Sequence, residues 1–158
     1  MILLCPGSAK TQKFKRWPIK KYTELGKRLK DSDYTVEFLI GSDEKELIPY
    51  LDDFEIHTEL SLSEIYDLTS KIDLSICNDS FLMHFFSLFS TKTLAIYGPT
   101  DPNRTLPPGT LHIKSKIFSP TRPCWGKPHY GKCSKGICSC LDGLEVQDLF
   151  EEVFNILT

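Results

Sequence analysis

The chain has 158 residues, 41% of them hydrophobic and 25% charged, with a formal net charge of −2. That length suits one domain with a sizeable core and is short for a two-domain enzyme, and the composition excludes a disordered or fibrous chain. A net negative charge argues against a protein that works chiefly by gripping nucleic acid. No apolar run approaches the roughly 20 residues that span a bilayer, and the opening MILLCPGS lacks the basic stretch of a signal peptide, so the chain reads as soluble and cytoplasmic.

ILLCPG reads as a short buried strand turned by Pro6-Gly7. A basic loop over residues 8–16 follows; Lys10, Lys13, Lys15 and Arg16, with Lys20 and Lys21 beyond, have no acid among them. This run is either a solvated helix face or an anion site. WPIKKYTELGKRLKDS places Pro18 in a first turn and repeats Ile19, Tyr22, Leu25 and Leu29 at helical spacing, which predicts a helix. YTVEFLIG is a strand ending at Gly41, and SDEKELIPYLDD a helix capped by Ser42 or Asp43. FEIHTEL is a weaker strand, after which Ser61 and Glu64 have the spacing of a capping box ahead of Ile65 and Leu68. KIDLSIC is a strand, residues 79–89 a helix, and KTLAIYG a strand ended by Gly98. Strands alternating with helices in this way predict an α/β fold: a Rossmann-like parallel sheet with helices on both faces and right-handed crossovers. A Pro/Gly/Cys-rich segment, about 99–143, is expected to be irregular apart from one short strand near His112. An amphipathic helix over about 144–157 closes a single domain spanning residues 1–158.

Ligands of open parallel sheets bind beyond the carboxyl ends of the strands. Three segments fall there: the basic loop, GSDEKE after the second strand, and NDSFLMH after the strand at 72–77. If Asn78 or Asp79 caps the helix that follows, the N–H groups of Ser80, Phe81 and Leu82 make a site for phosphate oxygens. Ser80 adds a hydroxyl, and His84, one turn on, reaches the same anion or a sugar hydroxyl. The plainer reading makes Asp79 only a cap and His84 a satisfied histidine. Lys15 and Arg16 would supply the counter-charge. Neither a Walker-type loop nor the dinucleotide glycine fingerprint is present, which disfavours a nucleoside triphosphatase or an NAD enzyme. Cys124, Cys133, Cys138 and Cys140 gather in one segment, as zinc ligands or as a loop of free thiols; their spacing is not a paired C-x-x-C.

Taken in order, CPGSAKTQKFKRWPIKKYTELGKRL, FLIGSDEKEL, ICNDSFLMH and LAIYGPTDPNRT resemble the C-terminal half of the family 9 glycosyltransferases, the ADP-heptose:lipopolysaccharide heptosyltransferases. The resemblance covers essentially the whole chain. It implies a GT-B enzyme with two Rossmann-like domains, of which this one holds the nucleotide-sugar donor. The implied reaction is metal-independent, inverting transfer of heptose or a related sugar from an ADP-sugar to the lipopolysaccharide inner core. No cofactor beyond that donor is implied. The acceptor site and the catalytic base are expected in an N-terminal domain, and a peripheral contact at the inner face of the inner membrane would follow. Met1 stands directly against the first strand, as if at a domain boundary. By position, Lys15 matches the lysine at the donor phosphates, with Ser8 and Arg16 in the same loop. Glu44 or Glu46 matches the acid at the ribose. Asp79, Ser80, Phe81 and His84 match the segment around the diphosphate and sugar, with Phe81 standing where the family usually has glycine. Two other readings fit the sequence: a non-catalytic nucleotide-binding or interaction module derived from this fold, and another GT-B sugar-nucleotide enzyme such as a UDP-sugar epimerase.

Overall fold

Leu3, Leu4, Ile76, Cys77, Leu94 and Ile96 are wholly buried, so the strands that carry them have no solvent face. Such strands belong in a parallel sheet covered on both sides. The computed structural model of the chain describes residues 1–89, 91–116, 122–132 and 140–158. Its strands are β1 (Ile2–Cys5), β2 (Val36–Ile40), β3 (Glu55–Thr58), β4 (Leu74–Asn78), β5 (Thr93–Tyr97) and β6 (Leu111–Lys114). They form one sheet in the order β3-β2-β1-β4-β5-β6, and every pairing is parallel. The fold class expected from the alternation of elements is therefore the one observed, with β6 as the short strand anticipated near His112.

The helices are α1 (Ile19–Lys30), α2 (Leu62–Leu68), α3 (Phe81–Leu88), α4 (Pro102–Thr105) and α5 (Val146–Leu157). Side chains alternate across each strand, so the sheet presents two different faces. Ile2, Leu4, Phe38, Ile76 and Leu94 join Tyr22, Leu25 and Leu29 of α1 and Leu149 and Val153 of α5 in one core. Leu3, Cys5, Leu39, Cys77, Ala95 and Tyr97 pack on the opposite side with Ile65 of α2 and Met83 and Phe86 of α3. The helical spacing read for α1 thus describes a buried face, and α1 lies against α5. The Ser61–Glu64 capping box forms: the Ser61 hydroxyl accepts from the Glu64 N–H, and the Glu64 carboxylate accepts from the Ser61 N–H at 2.8 Å.

Three expectations change. The segment Ser42–Tyr50 is a 3-10 helix rather than an α-helix, and Gly41, not Ser42 or Asp43, occupies its N-cap. Pro49 inside it has no N–H to give, which limits regular α-ladder bonding. The basic loop contains a 3-10 turn, Lys10–Lys15. The segment after Gly98 also holds a single helical turn, α4, whose cap is the Asp101 carboxylate accepting from the Asn103 N–H at 3.1 Å. Among the described residues no helix is long and apolar enough to cross a membrane.

Candidate functional site

The strand order reverses direction between β1 and β4, and in this class of sheet that point opens a crevice above the strand ends. The loop after β1 needs an anchor there, because Pro6 and Gly7 take it out of the sheet. Asn78, at the end of β4, provides it. Its amide donates to the Pro6 and Gly7 carbonyls at 2.8 and 3.2 Å, while its Oδ1 accepts from the Trp17 N–H at 3.0 Å and the Tyr22 hydroxyl at 3.2 Å. Asn78 is fully buried, so this one side chain joins the β1 loop to the start of α1.

A cavity of about 490 Å³ sits beside that anchor. Gly7, Ser8 and Ala9 line it from the β1 loop; Ser42, Asp43 and Glu44 from the turn after β2; and Ser80, Phe81 and Leu82 from the start of α3. Leu39, Leu60 and Ile65 give it an apolar wall. Glu44 is nearly buried, and its Oε2 accepts the Gly41 N–H at 2.7 Å. Its carboxylate lies so close to Gly7 that a Cβ at that position would stand 2.1 Å from Oε1. Glycine at residue 7 is therefore what lets the acid reach the loop after β1.

A second cluster is built around Asp79, which is 6% exposed. Its Oδ2 accepts from the Lys15 ammonium at 2.9 Å and from the Thr100 hydroxyl at 2.6 Å. The described part of the cysteine-rich segment returns over this cluster: Tyr130 meets Phe14 edge-on at 5.0 Å between ring centroids. Burial pushes the Tyr130 hydroxyl above its ordinary range; Lys15 opposes the shift, while Asp79 and Cys124 add to it.

Arg16 donates to the Ser8 hydroxyl at 3.1 Å and the Ser8 carbonyl at 2.9 Å, and its other arm reaches Glu46 at 3.0 Å. Glu46 also takes a bond from Lys13 at 2.6 Å. The Lys13 bond, with help from Arg16, pulls the Glu46 carboxyl from 4.5 down to about 2.

The site residues read from sequence therefore divide. Ser8, Glu44, Ser80 and Phe81 line the cavity; Lys15 and Asp79 form the adjoining ion pair. Glu46 is instead held by Lys13 and Arg16 outside the lining, whereas Glu44 lines the cavity together with Asp43 and Glu59. His84 is exposed on α3 and does not line the cavity. Neither Asn78 nor Asp79 caps α3: Ser80 occupies the N-cap without a side-chain cap bond, because the Asn78 and Asp79 side chains are spent on the β1 loop and on Lys15 and Thr100. Cys124 and Cys140 are buried, and Cys133 and Cys138 lie outside the described residues. Among the described residues no group of three or more side chains is arranged to hold a metal ion. Sequence reasoning missed Thr100 and the wall of Leu39, Leu60 and Ile65. Thr100 had a signal in YGPTDP, since it lies three residues beyond the end of β5 at Tyr97.

The family model of glycosyltransferase family 9 (heptosyltransferase) matches residues 1–134. The chain belongs to glycosyltransferase family 9. Among relatives of this family 9 chain, the lipopolysaccharide heptosyltransferase 2 of Escherichia coli K12 is 29% identical over 99% of this chain and 47% of its own length. The lipooligosaccharide heptosyltransferase 2 of Haemophilus influenzae Rd is 31% identical over 68% of this chain and 34% of its own. The chain thus spans less than half the length of these curated relatives. The structure of E. coli ADP-heptose LPS heptosyltransferase II superposes with a TM-score of 0.75 at 24% identity, covering 99% of this chain and 46% of that one. The E. coli heptosyltransferase WaaC with ADP gives 0.73 at 15% identity, covering 98% and 43%. At these identities the likeness is one of fold, and the neighbours are GT-B heptosyltransferases.

Proposed function

We propose that this family 9 chain is the donor-binding domain of a metal-independent, inverting glycosyltransferase that takes an ADP-sugar, heptose or a close relative, as donor and lipopolysaccharide inner core as acceptor. The observation that supports this best is the single cavity edge shared by the β1 loop, Glu44 and the start of α3. The nucleoside end of the donor would meet the Glu44 carboxylate, which accepts hydrogen bonds from ribose hydroxyls. The diphosphate would lie over Ser8, Ala9 and the first N–H groups of α3, whose dipole favours negative charge. Lys15 would leave or share its Asp79 partner to meet the charge that grows on the leaving diphosphate as the sugar departs.

In the transfer itself an acceptor hydroxyl oxygen forms a bond to the anomeric carbon from the face opposite the diphosphate. The carbon–oxygen bond to the diphosphate breaks, and ADP carries away the electron pair. The hydroxyl proton passes to a carboxylate base outside this chain, in the acceptor domain. Such an enzyme works in the cytoplasm, where nucleotide sugars are made, with a peripheral contact at the membrane that carries its acceptor.

The test is ADP binding by calorimetry, comparing the native chain with the pair Lys15→Met and Asp79→Asn, which removes both charges and so leaves no buried carboxylate unpaired. The native chain should bind ADP, and the variant should bind about ten-fold or more weakly, the size expected for losing a charge-assisted contact. Equal affinity would sink the assignment of Lys15 to the diphosphate.

A further inference from the structure

Phe81 is the only aromatic residue among the described residues lining the cavity, and it is 58% exposed. It stands at the first turn of α3, which buries Met83, Phe85 and Phe86 on the sheet, and so faces the cavity rather than the core. The ring is held from one side. Its centroid lies 5.7 Å from that of Phe85, tilted by 45°, and Phe85 is itself braced by Phe89 at 4.9 Å and Phe86 at 5.9 Å. A ring braced on one side by the buried Phe85 keeps the rest of its surface for another flat group.

The surroundings say which group. On the β2 and β3 side of the cavity apolar side chains (Leu39, Ile40, Leu60) and carboxylates (Asp43, Glu44, Glu59) dominate, with Gly41 and Ser42 between them and Ile65 of α2 beside them. The partly buried cation Lys15 is instead fixed at Asp79, whose other partner, Thr100, follows β5, and Arg16 is held by Ser8 and Glu46. The carboxylates on this side of the cavity disfavour phosphate, which the reading above places over Ser8, Ala9 and the α3 N–H groups. This side suits a planar ring that carries an amino group and a sugar that carries hydroxyls, because carboxylates can only accept hydrogen bonds. We propose that Phe81 is a specificity-determining wall of this cavity, against which the purine base of the nucleotide stacks. This rests on the nucleotide reading above. It assigns a gain of contact to the position where a small residue would leave open space.

The experiment measures the affinity of ADP and of inorganic pyrophosphate for the native chain and for Phe81→Leu, Phe81→Gly and Phe81→Trp, each checked for folding by its thermal transition. Leucine keeps an apolar side chain and removes the ring. A stacking wall predicts ADP affinity about ten-fold lower in Phe81→Leu, lower still in Phe81→Gly, and retained in Phe81→Trp, with pyrophosphate unchanged throughout. ADP binding that is unchanged in Phe81→Leu, or stronger in Phe81→Gly, would overturn the wall while leaving the nucleotide site in place. Equal losses for ADP and pyrophosphate would also overturn it, because the ring would then serve the phosphates. A folded native chain that binds pyrophosphate but not ADP would overturn the wall and the nucleotide reading together.

Discussion

Every hydrogen-bonding atom of the Asn78 amide is used: two carbonyls of the β1 loop accept its protons, and its oxygen takes the Trp17 N–H and the Tyr22 hydroxyl. Replacing it with alanine leaves those four groups buried without partners, and each such group costs on the order of 1–3 kcal/mol. Asn78→Ala should therefore lower the unfolding free energy by about 3 kcal/mol or more in a denaturant titration; a loss below about 1 kcal/mol would show that the loop finds other anchors. The sequence raises the right question here but gives a partial answer. The placement of NDSFLMH beyond the end of a strand was legible, and Ser80 and Phe81 do line the cavity. The actual partners of Asn78 and Asp79 lie from 21 to 72 residues away in the chain, so no local pattern could have shown that these side chains hold the loops rather than cap α3.

Two 3-10 segments, Lys10–Lys15 and Ser42–Tyr50, face each other across the front of the sheet, and Glu46 ties them by accepting from Lys13 and Arg16. Because folding lowers the Glu46 carboxyl from 4.5 to about 2, its contribution is present above about pH 4.5 and is lost as pH falls toward 2. The pair is exposed, so the effect on global stability is small and screened by salt. The clean readout is the carboxyl carbon of Glu46 followed by NMR. A midpoint near 2 is expected, and a midpoint at 4.5 would mean that the two segments are not tied in solution. The central strands were readable as short continuous apolar runs bounded by turn residues, and the long helices α1 and α5 because a 3.6-residue period reports directly on which face is buried. The 3-10 segment after β2 was not. Its pattern of acids and apolar residues suits an α-helix, and only Pro49 hints that the regular ladder fails. The turn of α4 was hidden for a similar reason: four residues carry no period at all.

The whole molecule is a parallel sheet with two differently packed faces, whose switch point carries a cavity lined from β1, β2 and α3. The chain belongs to glycosyltransferase family 9 and spans 47% of the length of its E. coli relative. The donor-binding role proposed above requires that the chain hold a nucleotide on its own. Titration of the isotopically labelled chain with ADP, read as amide NMR shifts, tests this most directly. The account predicts saturable shifts concentrated at residues 7–9, 41–44 and 80–82 and at Lys15. The absence of shifts there, or shifts confined to the opposite end of the sheet around Asp73 and Lys92, would contradict it.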